Sequence, residues 1–208
     1  MARLRIAAFA SGRGSNLQAI LEAIDKGELT AKVALVISNR STAGVLEIAR
    51  ERHIPALHMS SKHFDSQDEF DAALLKVLEE QEINLIVLAG YLKKISTVII
   101  EKYRHRILNI HPALLPSFGG KGLYGHYVHE AVLEQGCKVS GVTVHLVDEH
   151  YDTGPIVAQQ CVPVMDGDTT DSLAARVLKL EHKIYSQALQ LFADDKVVID
   201  GRRVRVLQ

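Results

Sequence analysis

The chain has 208 residues, 47% of them hydrophobic and 24% charged, with a net charge of −1. Such a composition suits a soluble globular protein with a sizeable core, and the balanced charge argues against a broad nucleic-acid-binding surface, which needs uncompensated Lys and Arg. No apolar stretch approaches the roughly 20 residues that span a bilayer, the Met1-Ala2-Arg3-Leu4-Arg5 start reaches Gly12 and Arg13 too soon for a signal peptide, and the scattered Cys137 and Cys161 point to free thiols in a reducing, cytoplasmic setting.

Residues 5–10 form a short apolar run that predicts a strand, and the loop Ser11-Gly12-Arg13-Gly14-Ser15-Asn16 follows. Leu17, Ile20, Leu21 and Ile24 then recur at helical spacing until Gly27. The pattern repeats with a strand over 33–37, a helix over 45–52 and a weak strand over 54–59. An amphipathic helix over 65–80 carries Phe70, Leu74, Val77 and Leu78 on one side. Residues 85–89 are continuously apolar, as in a strand buried on both faces of a parallel sheet. After Gly90-Tyr91 come a helix near 97–103 and a strand ending at Asn109. Further on, 139–147 and 156–164 read as neighbouring strands, 172–192 as a long helix, and 197–206 as a hairpin turning at Asp200-Gly201. The alternation predicts an α/β fold with a doubly wound, mostly parallel sheet, in one domain. In such a sheet the glycine loop, Gly90-Tyr91 and Asn109 all sit at carboxyl ends of strands, where ligands bind.

Gly12-Arg13-Gly14-Ser15-Asn16 joins a strand to a helix, where unpaired backbone N–H groups and the helix dipole favour an anion. A dinucleotide fingerprint needs a third glycine in place of Leu17 and an acidic residue where Ser38 and Asn39 stand, and a Walker loop needs Gly-Lys-Ser/Thr. A single phosphate is the better guest; the alternative is a tight turn capped by Ser15 or Asn16.

Asn109 and His111 lie two apart where an apolar run stops at Pro112, so an extended backbone sends both side chains to one face. Such a pair donates hydrogen bonds to a developing oxyanion and moves a proton, unless it is only a turn before proline. Asp152 lies in a polar loop between two strands, and a carboxylate brought near His111 would raise the imidazole pKa. Spacing alone does not bring it there. The ten histidines include His126 with His129 and His145 with His150, but no H-E-x-x-H and no third ligand, so no metal is expected. The segment Gly119-Gly120-Lys121-Gly122-Leu123-Tyr124-Gly125 is either a lid offering Lys121 to an anion or an exposed connection.

Taken together these elements resemble the phosphoribosylglycinamide formyltransferases. The likeness is carried in order by Ser11-Gly12-Arg13-Gly14-Ser15-Asn16-Leu17-Gln18-Ala19, Leu88-Ala89-Gly90-Tyr91, Asn109-Ile110-His111-Pro112-Ala113-Leu114-Leu115-Pro116, Gly141-Val142-Thr143-Val144-His145, Asp152-Thr153-Gly154-Pro155 and Glu181-His182-Lys183-Ile184-Tyr185. The resemblance implies a single Rossmann-like formyltransferase domain over 1–208 and transfer of the formyl group of 10-formyltetrahydrofolate, a co-substrate, to the glycine amine of glycinamide ribonucleotide in de novo purine biosynthesis. It implies catalysis by Asn109, His111 and Asp152, with His111 protonated, and binding of the ribonucleotide by Gly14, Ser15, Asn16 and Glu181. The folate would lie along Leu92, Lys93, Lys94, Ile95 and Asn109, with the 148–152 loop over the pterin; Gln67 stands where the family often has an arginine near the folate tail. Both partners are small molecules, neither metal, nucleic acid nor membrane is implied, and a homodimer stays open. The rivals are a formyltetrahydrofolate hydrolase, with water as acceptor, a methionyl-tRNA formyltransferase, for which the chain lacks a basic RNA-binding region, and a non-catalytic phosphate-binding module.

Overall fold

In the computed structural model, which describes residues 4–207, the first apolar run becomes β1 (Leu4–Phe9), with Ile6, Ala7, Ala8 and Phe9 wholly inside. Met1, Ala2 and Arg3, on which part of the N-terminal reading rests, lie outside the described residues. The expected alternation follows as α1 (Ser15–Asp25), β2 (Ala31–Ser38), α2 (Gly44–Glu51), β3 (Ala56–His58), α3 (Gln67–Glu80), β4 (Leu85–Leu88), α4 (Thr97–Lys102) and β5 (Ile107–His111). It continues with α5 (His126–Glu134), β6 (Val139–Leu146), β7 (Ile156–Pro163), α6 (Thr170–Ala193), β8 (Val197–Asp200) and β9 (Arg203–Val206). Seven strands run in the order β3-β2-β1-β4-β5-β6-β7. β1 pairs in parallel with β2 and β4, β2 with β3 likewise, and β6 with β7 antiparallel, giving the mostly parallel sheet with flanking helices that the alternation predicts. Among the described residues no helix is long and apolar enough to cross a membrane.

The chain divides into two compact units, Met1–Leu108 and Asn109–Gln208. In the first, the strand order reverses direction between β1 and β4, whose ends lie side by side with Phe9 opposite Leu88. In sheets of this kind such a switch point is where ligands bind. In the second, β6 and β7 pair closely from Val139–Pro163 to His145–Ile156, and the terminal hairpin forms as expected but turns through Gly201-Arg202, one residue beyond the Asp200-Gly201 turn, because Asp200 still pairs with Arg203.

Three local readings change. The first helix starts at Ser15 and its N-cap is Gly14, at φ 90° with no side-chain cap bond, so neither Ser15 nor Asn16 acts as the cap. The left-handed turn requires glycine, and a Cβ there would lie 3.0 Å from the Val45 Cα. The third strand is only Ala56–His58, and α5 occupies a stretch where no helix had been assigned; its buried apolar positions are only Val128 and Val132. Gly14→Ala is expected to destabilise the protein by about 1–3 kcal/mol, combining backbone strain with crowding against α2. Urea unfolding with an unchanged midpoint would show that α2 yields at no cost.

Candidate active site

The second unit gathers three side chains, Asn109, His111 and His145, with one carboxylate. β5 delivers Asn109 and His111 on one face, and the turn after it is anchored by Thr143, a fully buried residue of β6. Thr143 Oγ1 donates to the Ala113 carbonyl at 2.7 Å and accepts from the Leu115 N–H at 3.0 Å. Gln159 Nε2 from β7 donates to both Thr143 Oγ1 and the Leu115 carbonyl, each at 2.9 Å. Two residues beyond Thr143 on the same strand face comes His145, 2% exposed. Its Nδ1–H donates to the Leu146 carbonyl at 2.9 Å, which leaves Nε2 as an acceptor for the Asn109 Nδ2–H at 3.0 Å. This contact fixes both the His145 tautomer and the Asn109 amide orientation.

Asp152 closes the group from the loop between β6 and β7. One carboxylate oxygen, Oδ1, stands 3.6 Å from His145 Nε2, and the other, Oδ2, stands 3.6 Å from His111 Nδ1. These separations exceed a hydrogen bond and act electrostatically. Oδ2 also accepts the Gly120 N–H at 2.9 Å, and His111 Nε2–H donates to the Phe118 carbonyl at 2.8 Å. The glycine-rich segment therefore lies on both groups through its backbone. Gly119 must stay small there, since its Cβ would come 3.1 Å from the Asp152 Cβ and 2.5 Å from the Leu115 side chain.

Burial is the largest influence on His111 and outweighs Asp152 and the Phe118 carbonyl, so its pKa falls below the usual 6.5; His145 adds slightly to the fall. This reverses the expectation of a raised value: Asp152 is close enough to favour the cation but does not overcome desolvation. For Asp152 itself burial pushes upward, but His145, the His111 charge and the Gly120 N–H together hold the carboxyl below the usual range.

The first unit carries the glycine loop. Ser11, at its start, donates its backbone N–H to the Gly90 carbonyl at 3.0 Å. Its Oγ accepts the Leu92 N–H at 2.9 Å and donates to Asn39 Oδ1 at 2.6 Å. The segments after β1 and β4 are thus tied at the switch point, with Ser11 held against Gly90 and Leu92. Leu92, Lys93 and Lys94 are exposed there while Ile95 is buried. Gln67 opens α3 and donates to Asp71 Oδ1 at 2.8 Å, so its amide serves a buried carboxylate of its own helix. Glu181 is buried on α6 in the second unit. Among the described residues no three His, Cys, Asp or Glu side chains gather as a metal site. His145 had not been expected at the site; the available signal was a pair of polar residues, Thr143 and His145, on one face of an apolar strand.

Residues 4–189 match the formyl transferase family. The chain belongs to that family. Within it the chain groups with the phosphoribosylglycinamide formyltransferases: it is 38% identical to the Bacillus subtilis enzyme of that name over 186 residues, 89% of this chain and 93% of the relative. It is 42% identical to the chloroplastic enzyme of Vigna unguiculata over 196 residues, 94% of this chain but 63% of the plant protein, so it spans under two thirds of that relative. The solved structure of glycinamide ribonucleotide transformylase 1 from Symbiobacterium toebii superposes with a TM-score of 0.93 at 44% identity, covering 99% of this chain and 95% of that one.

Because His111 is depressed below 6.5, it favours the neutral form when folded, and its contribution to stability is full above pH 6.5 and lost as pH falls through the folded value. In Asp152→Asn the raising influence of the carboxylate disappears while burial remains. The His111 imidazole is expected to titrate below 6.5 in the native protein and lower still in the variant, as read by NMR. An upward move would reverse the assigned balance of charge and burial.

Proposed function

We propose that this protein transfers the formyl group of 10-formyltetrahydrofolate to the glycine amine of glycinamide ribonucleotide, a step of purine biosynthesis. The observation that carries the reading is the Asn109–His145–Asp152–His111 constellation, with an oriented amide donor and a buried imidazole sharing one carboxylate. In this reading the two units work as one formyltransferase domain over 1–208, in the cytoplasm.

The substrate amine attacks the formyl carbon, and the carbonyl oxygen becomes an oxyanion. Asn109 Nδ2 carries a second hydrogen besides the one given to His145, and donates it to that oxygen. His111 rests neutral with its proton on Nε2, and the proton that the attacking amine must lose reaches the unprotonated Nδ1 through Asp152 or water. The imidazolium so formed lies near the Asp152 carboxylate, which stabilises the charge that burial penalises. The same proton, relayed by Asp152 or water, then protonates the departing folate nitrogen as the tetrahedral intermediate collapses. The Phe118 carbonyl now on Nε2 withdraws when substrate enters, which gives the glycine-rich segment its lid role.

Gly14, Ser15 and Asn16 hold the ribose phosphate with backbone N–H groups at the start of α1, and Glu181 contacts the same substrate. Leu92, Lys93, Lys94 and Ile95 line the folate, and the amide of Gln67 replaces a cation near the folate tail. The formyl group arrives already activated on folate, so the reading calls for no metal.

The test is a spectrophotometric assay of folate product with and without the ribonucleotide. Turnover only with the nucleotide is expected; turnover without it would point to a hydrolase, and nucleotide binding without any turnover to a binding module. Asp152→Asn and Asn109→Ala are expected to lower kcat by about a hundredfold or more with unchanged circular dichroism. Near-native kcat in folded Asp152→Asn would remove that carboxylate from the chemistry.

A further inference from the structure

The terminal hairpin begins after residue 189, where the family match ends, yet it reaches the loop that carries Asp152. Arg202 occupies the two-residue turn of the β8–β9 hairpin, and its Nη2 donates to the Thr153 carbonyl at 2.8 Å. We infer that Arg202 is a positioning residue for formyl transfer, holding the Thr153 peptide so that the adjoining Asp152 carboxylate stays between His111 and His145.

The loop needs such a hold. Asp152 sits at φ 57°, in the left-handed region that non-glycine residues seldom adopt and keep only when their surroundings over-determine it. From inside, Asp148 Oδ1 accepts the His150 N–H at 3.0 Å and the Thr153 hydroxyl at 2.7 Å. Behind it the chain is pinned at Gly154, where a Cβ would strike the Leu146 carbonyl, and by the Leu146 N–H bonded to the Pro155 carbonyl at 2.8 Å. These contacts fix the Thr153 side chain and the exit of the loop but leave the Thr153 carbonyl to Arg202. The bond is charge-assisted, hence stronger than a neutral one. Its far end is itself supported: the Leu207 N–H to Lys196 carbonyl bond closes the hairpin base at 2.8 Å. The separations that matter are the 3.6 Å from Asp152 to each imidazole, and small displacements of a catalytic carboxylate have large kinetic effects.

The kinetic consequence rests on the formyl-transfer reading, whereas the structural one does not. The Gly120 N–H, bonded to Asp152 Oδ2, reports the carboxylate position directly. Native protein, Arg202→Ala, Arg202→Lys and Arg205→Ala are compared by steady-state kinetics across pH and by amide hydrogen exchange at Gly120. Arg205→Ala breaks the hairpin's own ion pair but not the bond to Thr153. Arg202→Ala is expected to lower kcat about tenfold, leave both KM values within about twofold and move the His111 limb of the pH profile to lower pH. It is also expected to reduce Gly120 protection, with Arg202→Lys recovering most of each change and Arg205→Ala causing neither. Native kcat and protection in Arg202→Ala, equal losses in Arg205→Ala, or a kcat loss with native Gly120 protection each overturn the inference. If the native protein shows no turnover, the functional reading falls, and Gly120 protection alone decides whether Arg202 positions Asp152.

Discussion

The organisation of the second unit depends on one buried carboxylate. Asp152 lies 3.6 Å from each of two imidazoles, accepts a backbone N–H from Gly120, and is reached through a residue in the left-handed region. A carboxylate removed from water needs compensation, and among the described residues it comes from the Gly120 N–H and from an imidazole when that ring is protonated, not from an arginine or lysine. That choice leaves the carboxylate charged and still able to respond to a proton arriving on His111. A cation in permanent contact would hold the charge just as well but would make Asp152 indifferent to the protonation state of its neighbour.

Around this carboxylate the fold separates support from chemistry. Thr143 and Gln159, bonded to each other, hold the turn after β5 with three hydrogen bonds, so the backbone that follows His111 has little freedom. His145 is locked to one tautomer by its own neighbour's carbonyl and orients Asn109 in turn. Phe118 and Gly120, at the start of the glycine-rich stretch, meet His111 and Asp152 through backbone groups. In the first unit Ser11 plays a comparable part, tying the start of the glycine loop to the segment after β4.

Family membership and site geometry are separate kinds of support. The first places the chain among formyl transferases through residues 4–189. The second gives the proposed transfer its groups, a neutral imidazole, an amide and a carboxylate, and shows burial rather than the nearby charge setting the resting state of His111.

Much of the fold was legible from local pattern, because strand and helix periodicities and glycine punctuation are written in neighbouring residues. The runs that became β1, β2 and β4, the helix over 172–192 and the Asp200-Gly201 hairpin all follow from such signals. So did Asn109 and His111, since a two-residue spacing on a strand sets a common face wherever the strand lies. The α5 helix and the glycine N-cap of α1 were not legible, as packing against α2 and sparse apolar positions decided them. Nor was the place of His145 or Arg202, which depends on strand pairing and on a hairpin meeting a loop 49 residues away in sequence. Sequence alone determined which groups were available for proton transfer and oxyanion binding. Tertiary structure decided that Asp152 meets both imidazoles and that His111 rests neutral, because proximity and desolvation arise only when distant segments close around a site.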